Sequence, residues 1–156
     1  MLNYSIRVHS LLIPIENGNL LLPNANVAEV VQFKAPDKLK GAPDWLLGFL
    51  PWREIKVPLI AYETLLGQTP PSTDGIKWVI ILNALGGKTD LPFFAVLVQG
   101  KPKLIQVDES VVTPMTSKAQ NGVLRHVHVH GDPAIIPDPD YMEKVIRDFR
   151  DSLGKR

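Results

Sequence analysis

Three histidines alternate with valines in the run Arg125-His126-Val127-His128-Val129-His130-Gly131. On a strand, residues two apart share a face, so His126, His128 and His130 would line one side and the two valines the other. Three imidazoles on one face could ligate zinc or another divalent cation. The competing reading is a half-buried strand with its valines on the core and its histidines toward water. It leads, because no further ligand is at hand: His9 is the only other histidine, and Asp132 and Asp138 lack a spacing that brings them to the same place. Covalent chemistry has less support. The chain has no cysteine, which removes thiolate ligands, disulfides and Cys nucleophiles together. No Gly-x-Ser-x-Gly elbow surrounds any serine, and the Gly-Gly-Lys-Thr-Asp run at 86–90 lacks the spacing of a phosphate-binding loop. Asp108 and Glu109 are adjacent, so on a strand end their carboxylates would point apart, unsuited to a shared acid–base role. These residues predict neither an enzyme nor a cofactor.

Recognition has a better candidate in residues 48–63, Gly-Phe-Leu-Pro-Trp-Arg-Glu-Ile-Lys-Val-Pro-Leu-Ile-Ala-Tyr-Glu. Trp and Arg are the side chains most enriched at binding hot spots, since both join a large contact area to directional bonds. Trp45 reads best as a core anchor. Trp52-Arg53-Glu54 follows Pro51 and opens a strand, and a loop-to-strand junction is a common place for function. The alternative buries Trp52 and pairs Arg53 with Glu54 or Glu63.

The elements that must position these residues are short strands. Apolar runs at 11–15 and 20–22 flank Asn17-Gly18, a hairpin signal. A third strand at 27–33 would place Val27, Glu29 and Val31 on one face and Val30 on the other. Residues 34–45 are punctuated by Pro36, Gly41 and Pro43 and predict a loop, while 45–50 fits a short helix or the approach to the next strand. A strand at 57–62 has Pro58 near its start, a helical turn at 63–66 closes at Gly67, and Thr-Pro-Pro-Ser-Thr-Asp-Gly at 69–75 is the best linker. Further strands are expected at 78–82, 93–98, 104–107 and 123–129, with a turn at Gly86-Gly87. Only the C-terminus predicts a long helix, over 139–153: Asp138 caps it, Pro139 starts it, and Gly154 follows it. Tyr141, Val145, Phe149 and Leu153, with Met142 and Ile146 beside them, form its apolar stripe. Many short strands, Gly/Pro turns and 14 prolines predict a mainly β fold of barrel or sandwich type. The expected organisation is a single domain over 1–156, with approximate lobes at 1–68 and 76–136 followed by the helix.

Composition narrows the partners. Apolar residues make up 45% and charged residues 21%, the usage of an ordinary globular chain. Lys+Arg is 17 against Asp+Glu 16, and no basic stripe stands out, so nucleic acid is not expected. No segment approaches the roughly 20 apolar residues of a membrane-spanning helix, and the start, Met-Leu-Asn-Tyr-Ser-Ile-Arg-Val-His-Ser, is unlike a signal peptide. A cytoplasmic protein without direct membrane insertion is expected.

Val-Ala-Glu-Val-Val at 27–31 and Ala-Pro-Asp-Trp-Leu-Leu-Gly-Phe-Leu-Pro-Trp-Arg-Glu-Ile-Lys-Val-Pro-Leu-Ile-Ala-Tyr-Glu-Thr-Leu-Leu-Gly at 42–67 resemble the CheW-like coupling domain of bacterial chemosensory systems. Order and spacing match from about Leu11 to Gly67. The Trp-Arg pair and the segment at 92–110 look most like the ChpC and PilI type associated with type IV pili. The resemblance implies two small five-stranded SH3-like barrels and no catalysis. It implies an adaptor between a methyl-accepting chemoreceptor tip and the regulatory domain of a CheA-type histidine kinase, at receptor arrays on the inner membrane face. Position by position, the family's arginine falls on Arg53, its early-strand glutamate on Glu29, and its structural Gly and Pro on Gly48 and Pro58. Arg53 is then the expected partner contact, with Trp52, Glu54 and Glu29 beside it. Glu54 stands where the family usually has glycine. The second half lacks the family's Gly-x-x-Val-Asp strand, with 94–99 in roughly that place.

Overall fold

Strand-forming runs separated by Gly/Pro turns organise the chain from end to end. The computed structural model describes residues 8–16, 18–75, 78–84, 91–108, 110–116 and 119–153. In order, these form β1 (Val8–Ile15), β2 (Gly18–Pro23), a 3-10 turn (Asn24–Asn26), β3 (Val27–Gln32), β4 (Leu46–Trp52), β5 (Ile55–Ile60), α1 (Tyr62–Leu65), β6 (Trp78–Asn83), β7 (Phe93–Val98), β8 (Lys103–Val107), β9 (Val112–Pro114), β10 (Val123–Val129), β11 (Asp132–Pro137) and α2 (Pro139–Leu153). The fold is mainly β with two sheets and a C-terminal helix. The expectations placed on Asn17, Gly86-Gly87, Glu109 and Gly154 fall outside the described residues. No helix among the described residues is long and apolar enough to cross a membrane.

A six-stranded sheet runs β8-β1-β2-β11-β10-β9, and a five-stranded sheet runs β3-β6-β7-β5-β4. One sheet thus has six strands where five were expected. The sheets also do not follow the division at 68 and 76. The N-terminal hairpin joins the C-terminal strands through a parallel pairing of β2 with β11, and β6 and β7 join β3, β4 and β5. The reason lies in β6 and β7 themselves. Val79–Leu82 and Phe94–Val98 are all at most 2% exposed. Strands apolar on both faces must sit in the middle of a covered sheet, and here β3 and β5 flank them.

Alternation along β6 divides the core. Ile80 and Leu82 face a large cluster between the sheets, with Ile13, Leu20 and Leu22 from the other sheet and Met142 and Ile146 from α2. Val79 and Ile81 face a second cluster on the opposite side of the five-stranded sheet, with Leu50, Trp52, Val57, Leu59, Ala95 and Leu97. Each such side chain contributes about 1.5–3 kcal/mol by leaving water. Two irregularities adjust the strands. A shift in the β3–β6 pairing between Val27 and Glu29 breaks the alternation, so Val27 packs on the first cluster while Val31 packs on the second. Val27 and Val31 therefore do not share a face. Residues 46–52 are strand rather than helix, with a similar shift at Gly48.

Helix α2 starts as its sequence dictates. The Asp138 Oδ1 accepts the Asp140 and Tyr141 backbone N–H groups at 3.1 and 3.4 Å. Met142 and Ile146 are buried, Phe149 meets the Trp45 ring edge-on at 6.2 Å, and Leu153 at the far end is exposed.

Candidate functional site

Trp52 pairs with Ile55, so Arg53 and Glu54 alone form the turn between β4 and β5. Their φ angles are +48° and +66°, and positive φ at both central residues marks the type I′ hairpin turn, whose twist matches that of the flanking strands. The segment is therefore a hairpin tip rather than a loop entering a strand. This placement sends Trp52, the last residue of β4, into the protein and leaves the next two residues in solvent.

Trp52 is only 8% exposed. Its ring packs edge-on against Phe93, with centroids 4.8 Å apart and planes at 68°, and its indole N–H donates to the Glu29 Oε2 at 2.6 Å. Burial of an indole with its N–H satisfied by a carboxylate is a stable arrangement. The Arg53 side chain is 66% exposed. Its guanidinium lies over the Trp52 ring, 4.5 Å from the centroid, and its Nη2 is 3.7 Å from the same Glu29 Oε2. One carboxylate oxygen thus anchors both the indole and the guanidinium. With both side chains substantially exposed, the ion pair is worth about 0.2–1 kcal/mol and the cation–π contact about 0.5–1 kcal/mol. These contacts orient Arg53 more than they stabilise the fold.

Of the four expected site residues, the structure brings Glu29, Trp52 and Arg53 into contact and sets Glu54 beside them. Arg53 pairs with Glu29 rather than with Glu54 or Glu63. Among the described residues the Glu54 carboxylate makes no hydrogen bond or ion pair. Glu63 is 3% exposed on α1; it accepts the Glu16 backbone N–H at 3.4 Å, and burial raises its pKa above the ordinary glutamate value, with the charge of Glu16 adding to the rise and backbone hydrogen bonds opposing it. Beside Arg53 runs an open groove of about 460 Å³, lined in part by Glu29, Gln32 and Lys34 from the β3 side and Leu50, Pro51 and Trp52 from β4. These two strands are the outer edges of the five-stranded sheet. The β4 edge is blunted twice: Phe49 exchanges backbone hydrogen bonds with Asp37 at 2.9 Å, and exposed Pro51 has no N–H to offer. Gly48 serves this crossing. A Cβ there would lie 2.4 Å from the Asp37 carbonyl oxygen, at a φ of +143°. Pro58 is buried in β5 opposite Phe49.

Phe93 and Lys34 were missed by sequence reasoning. Phe93 reaches Trp52 from β7 across the sheet and Lys34 lines the groove just beyond β3, and no local pattern announces either.

The histidine strand folds as its bland reading had it. Val127 and Val129 are 1% exposed, while His126 and His128 are half-buried. Strand β10 ends at Val129; His130 lies in a second two-residue turn, with φ +50°, and is off the strand face. Among the described residues, no group of three or more His, Cys, Asp or Glu side chains is placed to hold a metal ion.

Against known proteins, a family model described as CheW-like domain matches residues 9–145. No curated protein matches the chain. Among solved structures, the scaffolding protein TtCheW from Thermoanaerobacter tengcongensis superposes with a TM-score of 0.70 at 18% identity, over 85% of this chain and 90% of that one. At that identity the likeness shows the fold.

Proposed function

The chain belongs to the CheW-like domain family, non-enzymatic scaffolds of chemosensory signalling, and from that premise we propose that it couples a chemoreceptor tip to a CheA-type histidine kinase through the β4–β5 hairpin tip. The observation that carries this reading is Arg53, held exposed over Trp52 and beside Glu29. An arginine fixed in this way loses less side-chain freedom on binding than a free one, which favours a hot spot. Trp52 acts from beneath, as the platform for Arg53. Contacts of such adaptors are small, on the order of 1,000 Å² or less per pair of partners. The site of action is the cytoplasmic face of the membrane, at receptor arrays.

Sedimentation tests the coupling. With receptor-bearing membranes, the CheA-type kinase of the same genome should pellet when the chain is added and stay in the supernatant without it. A kinase that pellets equally in both cases contradicts the adaptor role.

The Trp-Arg pair and the 92–110 segment further support a pilus-linked pathway. Deleting the gene should then abolish twitching and spare swimming; the reverse pattern would place the chain in a flagellar pathway.

A further inference from the structure

Among the described residues the same positive-φ hairpin turn occurs twice, with different residues at its second central position. Arg53-Glu54 joins β4 to β5, and His130-Gly131 joins β10 to β11; all four residues have positive φ. The second position carries Gly131 at +84° in one turn and Glu54 at +66° in the other. Glycine enters the left-handed region without steric penalty. Asn and Asp enter it with help from short side chains that bond locally. Glutamate has neither advantage, and nothing within the protein offsets its strain: among the described residues its carboxylate makes no hydrogen bond and no ion pair, and exposed Lys56 does not pair with it. The adjacent cation, though exposed, is already engaged, since Arg53 lies 3.7 Å from Glu29 and 4.5 Å from the Trp52 ring centroid. Of the two turn residues, Glu54 is therefore the one whose charge has no partner among the described residues.

Strain kept at an exposed residue without internal return points to an external contact. We infer that Glu54 is a specificity-determining residue, whose carboxylate receives a Lys or Arg side chain of the protein that docks on Arg53. This rests on the adaptor reading and sharpens it. The partner must present a cation opposite Glu54 next to the group that meets Arg53, and an arginine would fit best because its fork can engage both carboxylate oxygens. A partner with an acidic residue at that place would be repelled, which selects among related kinases and receptors.

The test titrates the purified CheA-type kinase and the receptor cytoplasmic fragment of the same genome with wild-type chain, Arg53→Ala, Glu54→Gly, Glu54→Gln and Glu54→Asp. Glu54→Gly should raise Tm by about 2–4 °C, because strain is relieved, yet weaken binding about tenfold. Glu54→Gln, which keeps size and strain but removes charge, should weaken binding by a similar factor, and Glu54→Asp should stay within about threefold of wild type. Undiminished binding of the Gly and Gln variants to both partners overturns the inference. So does weakened binding by Gly alone, which would assign the effect to backbone geometry. If Arg53→Ala loses affinity while the Glu54 variants do not, this inference fails and the adaptor reading stands; if wild type binds neither partner, both fall.

Discussion

Glu29 carries the site at the level of single residues, because one of its oxygens serves two groups. Removing it should free Arg53 and leave the indole N–H of Trp52 without its acceptor. Trp52→Phe keeps an aromatic ring against Phe93 but deletes that hydrogen bond, and should cost about 1 kcal/mol in denaturant unfolding. Trp52→Ala empties a buried site and should cost about 3–5 kcal/mol; a loss below 1 kcal/mol would mean that the ring is not part of the core. Glu63 adds a pH dependence. Its folded pKa is raised by burial, so the native state binds its proton more tightly than the unfolded chain does. Its contribution is then fully present below the ordinary glutamate pKa and is lost as pH rises through the higher folded value. Stability measured across that window should fall for wild type and stay flatter for Glu63→Gln; parallel curves would contradict the assignment. The family resemblance singled out Arg53 and Glu29 together, and the structure sets their side chains 3.7 Å apart. The burial of Trp52 stood only as the alternative, because Arg-Glu lacks the Asn-Gly signature by which a two-residue turn is recognised, and the face shown by a strand end depends on where the turn begins.

At the scale of elements, the β4–β5 hairpin depends on the segment that crosses it. Gly48→Ala would set a Cβ 2.4 Å from the Asp37 carbonyl, forcing backbone apart at a φ already unsuited to alanine. A loss of about 2 kcal/mol or more is expected, within the range for strained backbone and broken pairing. Gly131→Ala makes the control: its φ is +84° with nothing within 4 Å of the new Cβ, so only the conformational penalty of about 1–2 kcal/mol applies. Equal losses at the two glycines would show that the Asp37 contact is unimportant. Eight of the eleven strands among the described residues were readable from apolar runs and turn residues, and α2 from its cap and stripe; β4 was left between helix and strand, and β9 and β11 were not expected. The shifts in pairing at Val27–Glu29 and at Gly48 left no comparable mark, since each inserts one residue without changing composition.

For the whole molecule, the sheets are joined by side chains that reach across from α1. The Tyr62 hydroxyl donates to the Gly122 carbonyl at 2.6 Å, and burial pushes its pKa well above the ordinary tyrosine range, so it stays a donor. Asp138 donates its backbone N–H to the same oxygen at 3.0 Å, tying the start of α2 to this junction. Tyr62→Phe keeps the ring and should cost about 1 kcal/mol. The assignment of strands to sheets was the part the sequence left open. Pairing of β2 with β11 joins the two ends of the chain, and local periodicity holds no information about such distant partners. The central claim is that this scaffold presents Arg53 to a kinase or receptor. Calorimetric titration of the CheA-type kinase regulatory domain and the receptor fragment with wild type and with Arg53→Ala tests it most directly. The account expects affinity for at least one to fall by about 1–3 kcal/mol with Tm nearly unchanged. Equal affinity for both partners would contradict it.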